Sequence, residues 1–160
     1  MSKGINLHPK YQALFNNPSR YFIITGGRGS GKSFGTSIFL LTLVCEPGHK
    51  VLFTRYTMRS AHTSIIPEFI EKIEMMGMQE HFRITKDEII NIQTGSSIIF
   101  KGIRTSSGNQ TAALKSLNGV TTFVCDEAEE LVDEADFDKI DFSVRVQGKP
   151  NRCILILNPT

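Results

Sequence analysis

A chain of 160 residues fits one domain and is long enough to bury a core. With 40% hydrophobic and 21% charged residues, no apolar run near the roughly 18 needed to span a bilayer and no signal-peptide pattern in residues 1–10, it reads as a globular cytosolic protein without a membrane partner. The net charge of +2 is uneven: residues 1–60 hold eight Lys/Arg against one acid and residues 61–160 ten against fifteen, so the first third suits phosphate-bearing ligands without distinguishing a nucleotide from nucleic acid.

The first strand signal is Tyr21–Thr25, a short apolar, β-rich run that ends in glycines. Gly26-Gly27-Arg28-Gly29-Ser30-Gly31-Lys32-Ser33 follows and matches G-x-x-x-x-G-K-[ST], the phosphate loop that joins a strand to a helix. Its glycines let backbone N–H groups turn inward as an anion-binding nest. The helix beginning at its end adds free N–H groups and a positive pole. Lys32 brings a positive charge to the β- and γ-phosphates, and the Ser33 hydroxyl can ligate Mg²⁺. From spacing alone Arg28 is equally an exposed cation on a turn or an internal arginine finger for the γ-phosphate.

Lys32–Val44 has helical apolar spacing and Lys50–Arg55 reads as a second buried strand. In Ser60–Met76, Ile65, Ile66, Phe69, Ile70 and Ile73 recur at helical intervals opposite Glu68, Glu71, Lys72 and Glu74, and Pro67 marks a start or a kink. Glu88–Gln93 and Ser96–Lys101 flank Thr94-Gly95 as a hairpin. Residues 102–118 are rich in Ser, Thr, Gly and Asn and read as a long loop.

Thr121–Cys125 is an apolar strand that ends in Asp126-Glu127, a Walker B pattern. Asp126 is expected to hold Mg²⁺ through a coordinated water, and Glu127 to polarise the attacking water. A helix is expected from Glu127 onward, and the many acids after it read as a solvated face rather than a second metal cluster. Arg152–Leu157 is the last strand, and its end, Asn158-Pro159, is either a γ-phosphate sensor or a plain turn. Strands alternating with helices imply an α/β fold with a mainly parallel sheet covered on both faces. Cys45, Cys125 and Cys153 have no metal or disulfide spacing and read as core residues; the four histidines are scattered.

The glycine loop, Asp126-Glu127-Ala128 and the strand ending in Asn158-Pro159 together resemble the large terminase subunit of tailed bacteriophages. Tyr11-Gln12 upstream of the loop, Arg55 after the second strand and Leu114-Lys115-Ser116-Leu117 before the acidic strand extend the resemblance over most of the chain. It implies a P-loop, ASCE-type ATPase domain over residues 1–160 that powers packaging of double-stranded DNA into a procapsid, with ATP and Mg²⁺ as cofactors. Catalysis would fall to Glu127, Lys32 and Arg28, the last as a cis arginine. The nucleotide would be held by Gly27, Arg28, Gly29, Ser30, Gly31, Lys32, Ser33 and Phe34, with Gln12 at the adenine edge and Asn158 in a coupling motif, and the metal by Ser33 and Asp126. The implied partners are DNA, the portal protein, the small terminase subunit and further copies in a ring, acting in the host cytoplasm and transiently on the procapsid. A neighbour's arginine is also implied, with Arg104 and Arg145 as candidates. The family's RNase H-like nuclease domain is not expected within a chain that stops at Thr160, so nuclease activity is assigned to the full-length protein only. A two-RecA-domain helicase shares the loop and the Asp-Glu-Ala strand end, but requires a second RecA-like domain and no Arg28. A non-catalytic nucleotide switch has no use for Glu127.

Overall fold

In the computed structural model, the described residues are 9–16, 19–26, 32–55, 61–102, 118–130, 144, 146, 148 and 150–157. Among them, seven strands form one sheet: β1 (Tyr21–Thr25), β2 (Lys50–Arg55), β3 (Phe82–Ile84), β4 (Glu88–Asn91), β5 (Ser97–Gly102), β6 (Thr122–Asp126) and β7 (Arg152–Leu157). The α-helices that accompany them are α1 (Pro9–Asn16), α2 (Lys32–Leu43), α3 (Ala61–Ser64) and α4 (Ile66–Met75). The strand order is β1-β7-β6-β2-β5-β4-β3. The pairs from β1 through to β5 are parallel, whereas β5-β4 and β4-β3 are antiparallel. The fold is therefore the expected α/β class with a mainly parallel sheet.

Alternation along the strands divides the core in two. Val51, Phe53, Val124, Ile154 and Ile156 face one way, where they meet Leu14 of α1, Phe39, Leu40 and Leu43 of α2, and Phe69 and Ile73 of α4. Leu52, Phe123, Cys125 and Cys153 face the other way, with Val120, Ala128 and Val144. The helix expected beyond Glu127 begins as a single 3₁₀ turn over Ala128–Glu130, and residues 131–143 lie outside the described residues. Among the described residues β1 pairs with a strand on one side only, and Tyr21 and Ile23 are 50% and 66% exposed.

Several boundaries differ from those the sequence suggests. The long amphipathic segment is two helices, because Pro67 in the first turn of α4 has no N–H with which to continue the α3 ladder. The hairpin strand β4 ends at Asn91 rather than Gln93. The buried Asn91 carboxamide oxygen accepts the backbone N–H groups of Gln93 (3.0 Å) and Thr94 (3.1 Å), closing a turn that Gly95 completes at φ 75°. β3, only three residues long, has no distinct signal of its own. β6 starts at Thr122 and runs on to Asp126, with Thr121 N–H donating to the Lys50 carbonyl oxygen at its lower end.

Candidate active site

The parallel strands bring their C-terminal ends to one edge of the sheet, where α/β folds bind ligands. β1 ends there at Thr25 and α2 begins at Lys32, so residues 26–31 join a strand end to a helix N-terminus, as a phosphate loop requires. Gly27, Arg28, Gly29, Ser30, Gly31 and Asn158 lie outside the described residues; Lys32 and Ser33 are the first two residues of α2. Phe34 follows, half-buried, with the Lys72 ammonium of α4 5.5 Å from its ring centre. This contact ties α4 to the head of α2. Gln12 is an exposed residue of α1, the helix whose Phe15 ring meets Phe39 of α2 edge-on at 5.1 Å.

β7 lies between β1 and β6, so the strand feeding the glycine loop and the strand bearing the acids are two positions apart, roughly 10 Å at ordinary strand spacing. The registers Thr25↔Leu157 and Cys125↔Leu155 set the ends of all three strands at nearly one level. Asp126 is the last residue of β6. Its Oδ2 accepts a hydrogen bond from Arg55 Nε at 2.8 Å, and its Oδ1 accepts the backbone N–H of Glu127 at 3.0 Å. Arg55 is the last residue of β2 and the direct register partner of Asp126. Both side chains are mostly covered, at 19% and 13% exposed. One residue below, Thr54 Oγ1 donates to the Val124 carbonyl oxygen at 2.8 Å and stitches the same two strands together.

Glu127 turns the chain sharply away from the strand. Its φ of 56° makes it the single non-glycine residue with left-handed backbone among those described. That conformation costs an L-residue about 1–2 kcal/mol. The Asp126 carboxylate offsets part of it by accepting the Glu127 N–H, while the Glu127 side chain stays exposed at the edge. Burial pushes the neighbouring Cys125 thiol up to about 12, so this cysteine is an inert core group.

The donor set suits Mg²⁺. A carboxylate oxygen has two acceptor directions, so Asp126 keeps one on each oxygen after its bonds to Arg55 and Glu127. A hard cation shared with substrate phosphates needs one or two such carboxylates rather than a cage of protein ligands. Sequence reasoning took Arg55 only as part of a resemblance and missed its pairing with Asp126. The available signal was a cation ending an otherwise apolar strand, but its partner depends on β2 lying beside β6.

Comparison with known proteins identifies the family and the fold. Residues 18–160 match the family model described as phage terminase large subunit. The chain is similar to the PBSX phage terminase large subunit of Bacillus subtilis (strain 168), at 26% identity over 130 residues, covering 81% of this chain and 29% of that protein. It thus spans under a third of that relative. The fold is similar to that of the large terminase of a thermophilic bacteriophage in complex with ATP-γ-S, with a TM-score of 0.67, 11% identity and coverage of 94% of this chain and 38% of that one. It is also similar to the N-terminal domain of the DNA packaging ATPase from bacteriophage phi29, with a TM-score of 0.66, 13% identity and coverage of 94% and 78%. At these identities the structural likenesses establish the fold, while the match over residues 18–160 establishes the family. The chain belongs to the phage terminase large subunit family.

Proposed function

We propose that this chain is the ATP-hydrolysing domain of a motor that drives double-stranded DNA into a phage procapsid. The observation that carries the reading is the shared sheet edge: β6 delivers Asp126 and Glu127 to the edge from which β1 passes through the glycine loop into α2. A triphosphate held at the head of α2 would share that sheet edge with both carboxylates. The family match, and relatives described as a DNA packaging ATPase and as an ATP-γ-S complex, support the same reading.

Each residue then has a task that follows from its position. Gly27, Gly29, Ser30 and Gly31 offer backbone N–H groups to the phosphates, and Phe34 continues the helix behind them. Lys32 and Arg28 place positive charge where it develops on the γ-phosphoryl oxygens. Ser33 and Asp126 would hold Mg²⁺, Asp126 through a coordinated water, and the ion would supply positive charge to offset that of the phosphates. Glu127 orients water for attack on the γ-phosphorus and takes its proton as the β–γ bridging oxygen leaves with ADP. Gln12 contacts the adenine edge, and Asn158 couples phosphate release to movement. The working form is a ring of copies on the portal in the host cytoplasm, with double-stranded DNA and the small terminase subunit as further partners.

The test is Mg²⁺-ATP turnover against protein concentration, with and without duplex DNA, beside Lys32→Ala and Glu127→Gln. Turnover that both substitutions abolish, and that rises faster than linearly with concentration, is expected. ATP binding without turnover at any concentration would make the chain a nucleotide-binding module only.

A further inference from the structure

We infer that Arg55 is a positioning residue for the acidic pair, acting through Asp126 on both the metal-facing oxygens and the Glu127 turn. The inference rests on the ATPase reading above. Three contacts in series carry it. Thr54 Oγ1 to the Val124 carbonyl, 2.8 Å, fixes the height of β2 against β6. Arg55 Nε to Asp126 Oδ2, 2.8 Å, sets the rotation of the carboxylate. Asp126 Oδ1 to the Glu127 N–H, 3.0 Å, holds the left-handed turn that aims Glu127.

The chemistry favours arginine here. Two adjacent carboxylates repel each other at an edge that must also receive a polyanion. A guanidinium is permanently charged and relatively weakly hydrated, so it can balance Asp126 from a site only 19% exposed. Its Nε–H approaches one oxygen from a fixed direction, which leaves the open acceptor positions of Asp126 in a defined orientation. A lysine ammonium can supply the charge but not that direction. Residues that orient a metal-binding carboxylate typically matter roughly 10- to 100-fold in metal affinity or activity when removed.

The experiment compares wild type, Arg55→Lys, Arg55→Ala, Asp126→Asn and the Arg55→Ala/Asp126→Asn double variant in the full chain. A fluorescent ATP analogue is bound first without metal and then under Mg²⁺ titration, with turnover and thermal melting recorded alongside. Arg55→Ala is expected to raise the Mg²⁺ requirement for binding and to lower kcat, each by roughly 10- to 100-fold. Metal-free affinity should stay at wild-type values, while melting falls in Arg55→Ala, which leaves the mostly covered Asp126 carboxylate without its counter-charge, and less in Arg55→Lys. Arg55→Lys should recover part of both losses, and Arg55→Ala should add little once Asp126 is already Asn. A wild-type Mg²⁺ response and kcat in Arg55→Ala would overturn the inference while leaving the ATPase reading intact. So would loss of metal-free affinity and stability together in both Arg55 variants, which is what a structural strut predicts. Should the alanine variant fail to fold, Arg55→Lys alone decides, through its Mg²⁺ requirement at unchanged metal-free affinity. Failure of the wild type to bind Mg²⁺-ATP would instead overturn the ATPase reading itself.

Discussion

At the residue scale, Glu127 combines an exposed carboxylate with a backbone conformation that disfavours any side chain (φ 56°). The position gives up stability for the direction in which its carboxylate points. Substitutions that share the loss of the carboxylate should therefore differ in stability. Glu127→Gly relieves the left-handed strain and Glu127→Ala does not, so in urea melts the glycine variant should be more stable than the alanine one by about 1 kcal/mol. Both should lose turnover to the same extent. Equal stabilities would mean that the turn relaxes when Glu127 is replaced. What the sequence made legible is where the motifs fall in the fold, because their spacing is local: Lys32 and Ser33 open α2 after the glycines, and Asp126 ends the apolar strand β6. The link between Arg55 and Asp126 was not legible, since the two are 71 residues apart and meet only because β2 and β6 are neighbours. Nor does a sequence announce a positive φ at a glutamate.

At the element scale, what positions the edge is the packing of α2 and α4 on the sheet. Phe69 of α4 is fully buried and meets Phe53 of β2 at 5.7 Å and Phe100 of β5 at 5.2 Å between ring centres; Phe53 and Phe100 are themselves 5.5 Å apart. The cluster anchors β2, whose far end is Arg55. Phe69→Ala removes the keystone ring and leaves a cavity, so it should cost about 3–5 kcal/mol in guanidinium unfolding. Met75, on the same helix but about half exposed, is the control: Met75→Ala should change stability by less than about 0.5 kcal/mol. Comparable losses would show that α4 packs differently from this description. These elements were readable because their apolar residues recur with clean periods, helical in α4 and near-continuous in β2, β6 and β7. Where side chains override the period, boundaries moved. Asn91 shortened β4 by capping the following turn, and Pro67 divided one amphipathic segment into α3 and α4.

At the scale of the whole molecule, a sheet with two ends must protect both. β3 ends one side as a strand of only three residues, with exposed Arg83 at its centre, which is a poor template for another strand. Among the described residues, β1 ends the other side as Tyr-Phe-Ile-Ile-Thr, five residues without a charge, and Tyr21 and Ile23 present large apolar surface there. The nearby cation Arg20 lies over the Tyr21 ring at 5.6 Å rather than in the strand. An uncharged, apolar outer strand favours association through that side. It does so next to the phosphate loop, because β1 leads directly into it. Ile23→Lys places a charge at a position that is two-thirds exposed, so stability should change by less than about 0.5 kcal/mol. Light scattering at raised protein concentration should fall, and affinity for a fluorescent ATP analogue should stay near wild type. A larger destabilisation would show that Ile23 is covered in solution, and that the β1 side is packed against protein rather than open to water.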